Sequence, residues 1–484
     1  MKVIKLKFGT RLRRLQVEAD TADKLFCNIL IETHTYHIGS YENEKIIICS
    51  IAVLSFAFAK AQQTKSWTLQ ECVDYAIENN ISIKQADLNI EQAQLNKKDA
   101  LGAFLPSLNA SASNSWNTGL TQNVVTGVLQ TQTTRNSSYG INSGVTLFNG
   151  MRNAYRHQRA KMNILATQYN AEQLEDNILL NVANSYLNVL FNKENLKQLE
   201  AQHELTAKQL EQTQQLVDAG SLPRGDVLEV QATYANEEQQ ILAAQNNVVI
   251  SRITLAQILN LEDFKGFDVS DPDLNDPVAL ILDQGADGIY AAATENRYEI
   301  KIAEQNTALA EQDLKIARGA RLPTVSAFFN YNTRESDRLN LAFFDQLSLN
   351  DGISYGLSLN LPIFNGWSVS NNVKRSKLNV ENNRLQETQA KLDLKQNIYQ
   401  AYNDAQGSRL TYQSAQKALE ARELAYEYAQ ERYNVGLMNA FDFNQSQTQL
   451  TNAQSSLLRS KYDYIFKLKV LELFTGIAPE DLKL

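Results

Sequence analysis

The sequence predicts a mixed α and β chain: four strands suited to a transmembrane β-barrel, continued by long coiled-coil α-helices, with the unit written twice. Three observations carry this. Residues 151–219 contain no Gly or Pro, and residues 367–435 contain only Gly407, so both read as very long helices. Four shorter segments alternate apolar and small polar residues with period two, as strands with two unlike faces do. The same landmarks recur through the chain at one nearly constant offset.

The first part to set aside is residues 1–61. Lys45 precedes an apolar run over residues 46–58, and Ala59-Lys60-Ala61 follows as an A-x-A site. Those are the parts of a secretory signal, with cleavage expected before Gln62. The run is shorter than the ~20 apolar residues of a spanning helix. Cys49 lies inside the run rather than after it, which makes it a poor site for a lipid anchor. Residues 1–44 are unusual upstream of such a signal and read as an N-terminal extension.

Composition then removes several functions. Charged residues make up 21% and hydrophobic residues 43%, a globular balance. The net charge of −8 argues against a nucleic-acid partner, since phosphate binding needs clustered Lys and Arg. Three cysteines, Cys27, Cys49 and Cys72, with no nearby His cluster, give neither a disulfide framework nor a metal site. Beyond Gln62 only His157 and His203 remain, both in predicted long helices without a nucleophile or acid at catalytic spacing. Nor is there a Gly-rich phosphate loop. No catalytic residue, enzyme activity or cofactor is expected.

The repeat is explicit. Leu105-Pro106-Ser107 is echoed by Leu322-Pro323-Thr324 at an offset of 217. Ser138-Tyr139-Gly140 is echoed by Ser354-Tyr355-Gly356, and Phe148-Asn149-Gly150 by Phe364-Asn365-Gly366, at 216. Gly220 and Gly436, and Asp226 and Asp442, keep 216. The expected division is a first repeat over residues 62–261, an acidic linker over 262–284, a second repeat over 285–477 and a tail over 478–484. Each repeat reads helix, strand, strand, long helix, tight turn, helix.

Each long helix would reach about 100 Å at 1.5 Å per residue. In the second, Leu378, Leu385, Leu392 and Tyr399 fall seven apart, the spacing of a coiled-coil seam. Pro106 and Pro323 can open a strand but cannot continue a helix. Gly150 and Gly366 permit the sharp return from strand to helix. Residues 118–136 and 334–352 are left as outer loops. The second holds Phe343 and Phe344 and is expected to fold partly back towards the barrel mouth.

Alternation alone fits any half-buried antiparallel sheet. In the first strand Leu108, Ala110, Ala112 and Trp116 alternate with Ser, Asn and Ser. In the fourth, Ile353, Tyr355, Leu357, Leu359 and Leu361 alternate with Ser354, Gly356, Ser358 and Asn360. The third has one lapse, Phe328, on its polar face. The signal peptide and the strand lengths favour an outer-membrane barrel, since about 9–11 tilted residues cross a bilayer. Four strands cannot enclose a channel, and an open edge in lipid leaves backbone groups unpaired. Several chains must then share one barrel; three give twelve strands, while two or four also give even counts.

In their order and duplication these motifs resemble the TolC-type outer-membrane efflux and secretion channels over nearly the whole mature chain. The resemblance implies a homotrimer, a twelve-stranded barrel in outer-membrane lipid and a periplasmic helical tunnel. It implies a passive exit duct that docks to a periplasmic adaptor and an inner-membrane pump. The tips Gly220-Ser221-Leu222 and Gly436-Leu437-Met438 would be the adaptor-docking sites, each also readable as a Gly helix stop with an apolar contact behind it. Asp442 and Gln445 would line the pore constriction, and Asp226 would cap its helix. The family's Asp-x-x-Asp is here Asp442-Phe443-Asn444-Gln445, so the second carboxylate is absent. The linker and the C-terminus would pack around mid-tunnel. The competing reading is an exported coiled-coil surface protein without channel activity. N-terminal sequencing of the protein from outer membranes should give a chain beginning at Gln62; a retained 46–58 segment would refute the signal peptide.

Overall fold

The computed structural model describes residues 66–122, 126–262, 264–271 and 280–475. The expected signal peptide and its cleavage site, the Asp-Pro part of the linker and the C-terminal tail lie outside them. A two-residue strand β1 (Ser66–Trp67) leads into helices α1 (Leu69–Asn79) and α2 (Ile81–Gly102). Strands β2 (Ser107–Gln122) and β3 (Leu129–Phe148) follow, then α3 (Arg152–Asp218), α4 (Arg224–Ile258) and the short strand β4 (Asp268–Val269). The second half runs α5 (Gly285–Asn296), α6 (Tyr298–Gly319), β5 (Thr324–Ser336), α7 (Phe343–Leu349), β6 (Gly352–Asn360), α8 (Ser368–Asn434) and α9 (Ala440–Phe474). Three helix pairs match in length across the halves: 22 residues in α2 and α6, 67 in α3 and α8, 35 in α4 and α9.

The single helix expected ahead of each strand pair is two helices. Asn80 breaks the first: its backbone is extended, its side chain accepts from Ser82 N, and its Nδ2 donates to the Ile258 carbonyl. Arg297 makes the same extended break between α5 and α6. It carries a buried ion pair to Asp176 on α3 (3.1 Å) and another to Glu299 (2.6 Å). Thr68 begins α1 with a capping box against Glu71, so both groups satisfy otherwise free helix N–H groups.

Four strands form one antiparallel sheet in the order β2-β3-β5-β6, which leaves β2 and β6 as edges. The register puts Ala112, Tyr139 and Thr333 in one row and Phe329 opposite Tyr355 in another. One face therefore carries Leu108, Ala110, Ala112, Trp116, Ile141, Phe329, Tyr331, Leu357 and Leu359. The other carries the small polar set, including Ser111, Ser138, Asn332 and Ser358. The far end of the Phe328 ring reaches its partner Gly356, where a Cβ would stand 3.2 Å from it. Gly356 thus makes room for an aromatic on the polar face.

One loop expectation is corrected. Residues 118–136 are mostly strand: β2 runs on to Gln122 and β3 starts at Leu129. Both faces there are Thr- and Gln-rich, so alternation vanishes from the sequence while the backbone ladder continues. Thr118 and Thr133 share a 2.8 Å hydrogen bond across it. The second loop contains α7 and folds back onto the apolar face of the sheet. Phe343 meets Tyr139 edge-on, and Thr333 Oγ1 donates to the Leu347 carbonyl (2.6 Å). Gln346, almost fully buried, pins the loop to Ser336 N and to the Leu339 and Leu341 carbonyls.

Leu378, Leu385 and Leu392 are exposed, whereas Val373, Val380 and Leu394, then Ile398, Ala405 and Tyr412, are the buried rows. Apolar packing concentrates near mid-helix. One cluster joins Cys72, Val73, Leu179, Val182, Tyr186, Leu190 and Leu255, and a second joins Ile289, Ile300, Ile398, Tyr412 and Leu471. β1 pairs in parallel with β4, and Tyr186 OH donates to the Ser270 carbonyl (2.8 Å) beneath that pair.

The halves meet along a seam. α6 packs against α8 of its own half and against α3 of the other. Tyr298 lies on Tyr169, and Gln305 Nε2 donates to the Met162 carbonyl (2.9 Å). Where the seam reaches the sheet, Gly150 and Gly319 pack backbone to backbone. A Cβ on Gly150 would come within 2.1 Å of the Gly319 carbonyl oxygen, and Gly150 also needs φ = +68°. Gly150→Ala should therefore lower stability by about 1–3 kcal/mol or more, through overpacking plus backbone strain. Thermal unfolding followed by circular dichroism measures it; an unchanged midpoint would contradict a rigid joint.

Candidate functional site

The end of the helices remote from the sheet carries the residues expected to act. Both long helices stop in the same way. Gly220 N donates to the Val217 carbonyl and Ser221 N to the Leu216 carbonyl, while Gly436 N and Leu437 N donate to the carbonyls of Tyr433 and Arg432. This is the Schellman pattern, and both glycines adopt φ = +74°, a left-handed conformation that disfavours side chains. The turns are thus set by free carbonyls at each helix end and by the one residue type that can bend back over them.

Behind the turns Leu222 and Met438 pack on a small cluster of Val230, Ala429, Tyr433, Ala440 and Phe443. Tyr433 stacks on Phe443 at 4.8 Å and shares a 2.8 Å hydrogen bond with Thr213 of α3. The cluster therefore draws the two tips of one chain together. Ser221 and Leu437 point away from it and are exposed.

The two aspartates differ in a way the sequence did not predict. Asp226, expected to cap α4, stands in the third position of that helix behind Pro223, which supplies no side-chain cap. Its charge still lies in the first turn, where the helix dipole favours an anion. Asp442 is the one in a reciprocal cap: its N–H donates to Asn439 Oδ1 (2.8 Å), and Asn439 Nδ2 donates to its carboxylate (3.0 Å). The physical reason is the residue before each helix. Asn439 has an acceptor and a donor to offer; Pro223 has neither. Phe443, Asn444 and Gln447 turn into the chain's own core, which leaves Asp442 and Gln445 together on the exposed side of α9.

Above the tip cluster runs a polar seam that was not anticipated. Gln202, Thr206, Gln209 and Thr213 occupy a core row of α3 and are all buried. Gln447 Nε2 of α9 donates to Thr206 Oγ1 (2.8 Å), which donates to Glu237 Oε1 of α4 (3.0 Å). Asn444 Nδ2 reaches Thr233 Oγ1 (3.3 Å). His203 stacks on Tyr234 at 4.1 Å with its Nδ1 3.7 Å from Glu237 Oε2. The available signal was the spacing 202-206-209-213, that of a coiled-coil seam, but with polar residues in the apolar positions. Among the described residues no group of His, Cys, Asp and Glu is arranged to hold a metal.

A sheet with one apolar and one small polar face, continued by paired helices about 100 Å long, defines an outer-membrane channel architecture. The family model described as outer membrane efflux protein matches residues 72–261 and again 289–476. The chain belongs to the outer membrane efflux protein family. It is 22% identical over 444 residues to the outer membrane efflux protein BepC of Brucella suis, covering 90% of this chain and 91% of that one. It is 24% identical over 369 residues to the outer membrane protein TolC of Escherichia coli, covering 71% and 72%. Among solved structures it resembles the VceC outer membrane protein of Vibrio cholerae (TM-score 0.68, 18% identity, 84% of this chain and 96% of that one). The CmeC outer membrane channel of Campylobacter jejuni is similar (TM-score 0.68, 20% identity, 84% and 85%). The protein is an outer-membrane efflux channel whose helices extend into the periplasm.

Burial at the polar seam pushes the Glu237 carboxyl above its ordinary range, against the opposing effects of Thr206, Gln202 and His203. A pKa raised on folding means that the folded state holds this proton more tightly. Its contribution is fully favourable below the unfolded carboxylate pKa and is lost as pH rises through the raised value. Glu237→Gln removes the charge and keeps the shape. It should raise the unfolding temperature at about pH 8, and the gain should shrink towards about pH 4, in the carboxylate range. Scanning calorimetry of both proteins at the two pH values reads this; a gain that grows on acidification would contradict it.

Proposed function

We propose that three copies of this chain close a twelve-stranded barrel and that the assembly is the passive exit duct of a tripartite efflux or type I secretion system. The observation that carries it is the sheet: four strands, two unpaired edges, one apolar face and one polar face with little charge. Hydrocarbon tolerates the apolar face but not open edges, whose N–H and C=O groups must be paired. Closure by identical copies pairs them and turns the polar face inward as a wet lumen. The matched helix lengths support descent of the two halves from one duplicated unit.

The remaining assignments follow from position. The exposed tip residues Ser221 and Leu437, with Gly220, Leu222, Gly436 and Met438 shaping the turns, are the surface offered to a periplasmic adaptor coupled to an inner-membrane pump. Asp442 and Gln445 share the free side of α9 next to the tip and are assigned to the constriction around the pore axis. The Asn439 cap supports this, because it fixes the Asp442 carboxylate on a rigid first turn. Asp226 is assigned to the outer layer.

The exported coiled-coil reading predicts no conductance. Purified protein in a planar bilayer should open discrete channels; a protein that inserts and stays silent would favour that alternative. Asp442→Asn should lower cation selectivity, and Asp226→Asn should lower it less, because three carboxylates around one axis attract cations strongly. Reversal potentials across a salt gradient compare them, and a larger loss for Asp226→Asn would reverse the layer assignment. On the sheet, Leu357→Arg should cost about 2–4 kcal/mol if that side chain meets lipid near mid-bilayer, with Ser358→Arg much milder. Equal costs on both faces would refute the inside and outside assignment.

A further inference from the structure

The loop between β5 and β6 is inverted relative to a loop that faces water. Over residues 339–349, Leu339, Leu341, Phe343, Phe344, Leu347 and Leu349 make six large apolar residues in eleven. Phe344 is 78% exposed and Leu349 68%, and Leu339 and Leu341 are half-exposed. The polar side chain of the loop points inward instead. Gln346 is 2% exposed, and its amide is engaged by Ser336 N and by the Leu339 and Leu341 carbonyls. A loop bathed in water would keep its amides outside and its leucines inside.

The sheet beneath it gives the reason. Along the apolar face of β3, Ile141 and Tyr139 give way to Ser137 and then Arg135, since alternate residues of a strand share a face. Opposite Ser137 stands Glu335, 4% exposed, which accepts from Ser137 Oγ (3.0 Å) and pairs with Arg135 (2.6 Å). Charge thus begins immediately beyond the Tyr139 row. α7 packs on β5 at this boundary, with Phe343 edge-on to Tyr139 and the Leu347 carbonyl on Thr333 Oγ1. From Tyr139 to Leu147 the uncharged face of β3 spans nine residues. That is about 26 Å along a strand at ~3.3 Å per residue. At a tilt of ~40° it is about 20 Å along the membrane normal, whereas the apolar band of an outer-membrane barrel is ~25 Å tall. A helix ~10 Å across, lying over the charged rows, is enough to make up the difference.

We infer that α7 and its flanks form a lipid-embedded collar rather than an outer-surface loop. Phe344, Leu349, Leu339 and Leu341 contact the acyl chains of the outer leaflet just below the headgroups and carry the lipid-facing band over the Arg135–Glu335 pair. The occupant is lipid rather than a surface protein for two reasons. The patch is continuous with the face that holds Tyr139, Ile141 and Tyr331, and it stands where that face is too short for the bilayer. A short helix with one apolar side needs no spanning length to lie at the boundary between headgroups and acyl chains. Trp116, opposite Arg135 on β2 and 64% exposed, is at the same level, and Trp is a residue that favours this boundary. The collar therefore sets the bilayer thickness that the chain fits. The inference rests on the reading that the apolar face of the sheet meets lipid.

Two single variants of the full-length protein, Phe344→Trp and Leu357→Trp, reconstituted in phosphatidylcholine vesicles, test the collar and the sheet face separately. Lipid brominated near the headgroup should quench the added Phe344→Trp emission at least about twofold more than lipid brominated near the chain ends, and Leu357→Trp, at the middle of β6, should show the reverse order. Spectra of the unsubstituted protein subtract the native tryptophans. If Phe344→Trp is quenched by aqueous iodide and by neither lipid while Leu357→Trp behaves as expected, the collar is overturned and the lipid face stands. Absence of lipid quenching at both positions overturns both. The thickness claim is read from insertion yields. Phe344→Ser combined with Leu349→Ser should match the unsubstituted protein in thin dimyristoleoyl vesicles and fall several-fold below it in thicker dioleoyl vesicles. A variant that keeps pace with the unsubstituted protein in both lipids, or loses equally in both, refutes the collar's part in matching the bilayer.

Discussion

A β-strand edge presents N–H and C=O groups that water satisfies and hydrocarbon does not, at a cost of several kcal/mol for each unpaired group. This constraint governs the rest of the molecule. The sheet has two such edges, β2 and β6, and inserts four strands rather than a closed set. Because Pro106 and Pro323 precede β2 and β5 and glycines follow β3 and β6, each pair of strands hands its direction to a pair of helices. Whatever fixes the edges then fixes the helices over their whole length, since a helix of 67 residues amplifies a small change of angle at its base.

The helical part uses different chemistry at different heights. Near the middle, Val182, Leu190, Leu255 and Tyr186 in one half, and Ile289, Ile398 and Leu471 in the other, are sealed from solvent. That level also receives β1, β4 and the ends of α4 and α9, so apolar area is plentiful there and burial dominates. Towards the tips only a few apolar side chains remain, and Thr206, Gln447 and Glu237 hold α3, α9 and α4 by hydrogen bonds. A hydrogen-bonded seam fixes register by direction, whereas an apolar one of the same length tolerates sliding. It also contributes less net stability per contact. The tip end is therefore specified more than it is stabilised.

The departures from expectation share a cause. Residues 118–122 and 129–136 and the row 202-206-209-213 are regular structure built mostly from polar side chains, and hydrophobic periodicity is blind to both. The exposed row Leu378, Leu385 and Leu392 is the converse case: a strong apolar period that the chain's own core does not bury. Asp226 was expected to cap its helix and Asp442 was not, yet the reciprocal cap is at Asp442, because Asn439 precedes it and Pro223 precedes the other helix.

The sequence by itself determined the bounds of both long helices to within a residue, the presence of four strands with two unlike faces, and the two tip glycines. Each depends on local periodicity or on a residue that only one backbone conformation suits, such as Gly220 and Gly436 at φ = +74°. The tertiary structure alone decided that Gly150 and Gly319 touch, that α7 lies on the apolar face, that Asn80 and Arg297 break helices the composition would have joined, and that Glu237 is buried beside Thr206 and His203. Those facts join residues from about 30 to about 200 positions apart. No local pattern records such a contact, because its energy depends on what the rest of the chain brings to the same place.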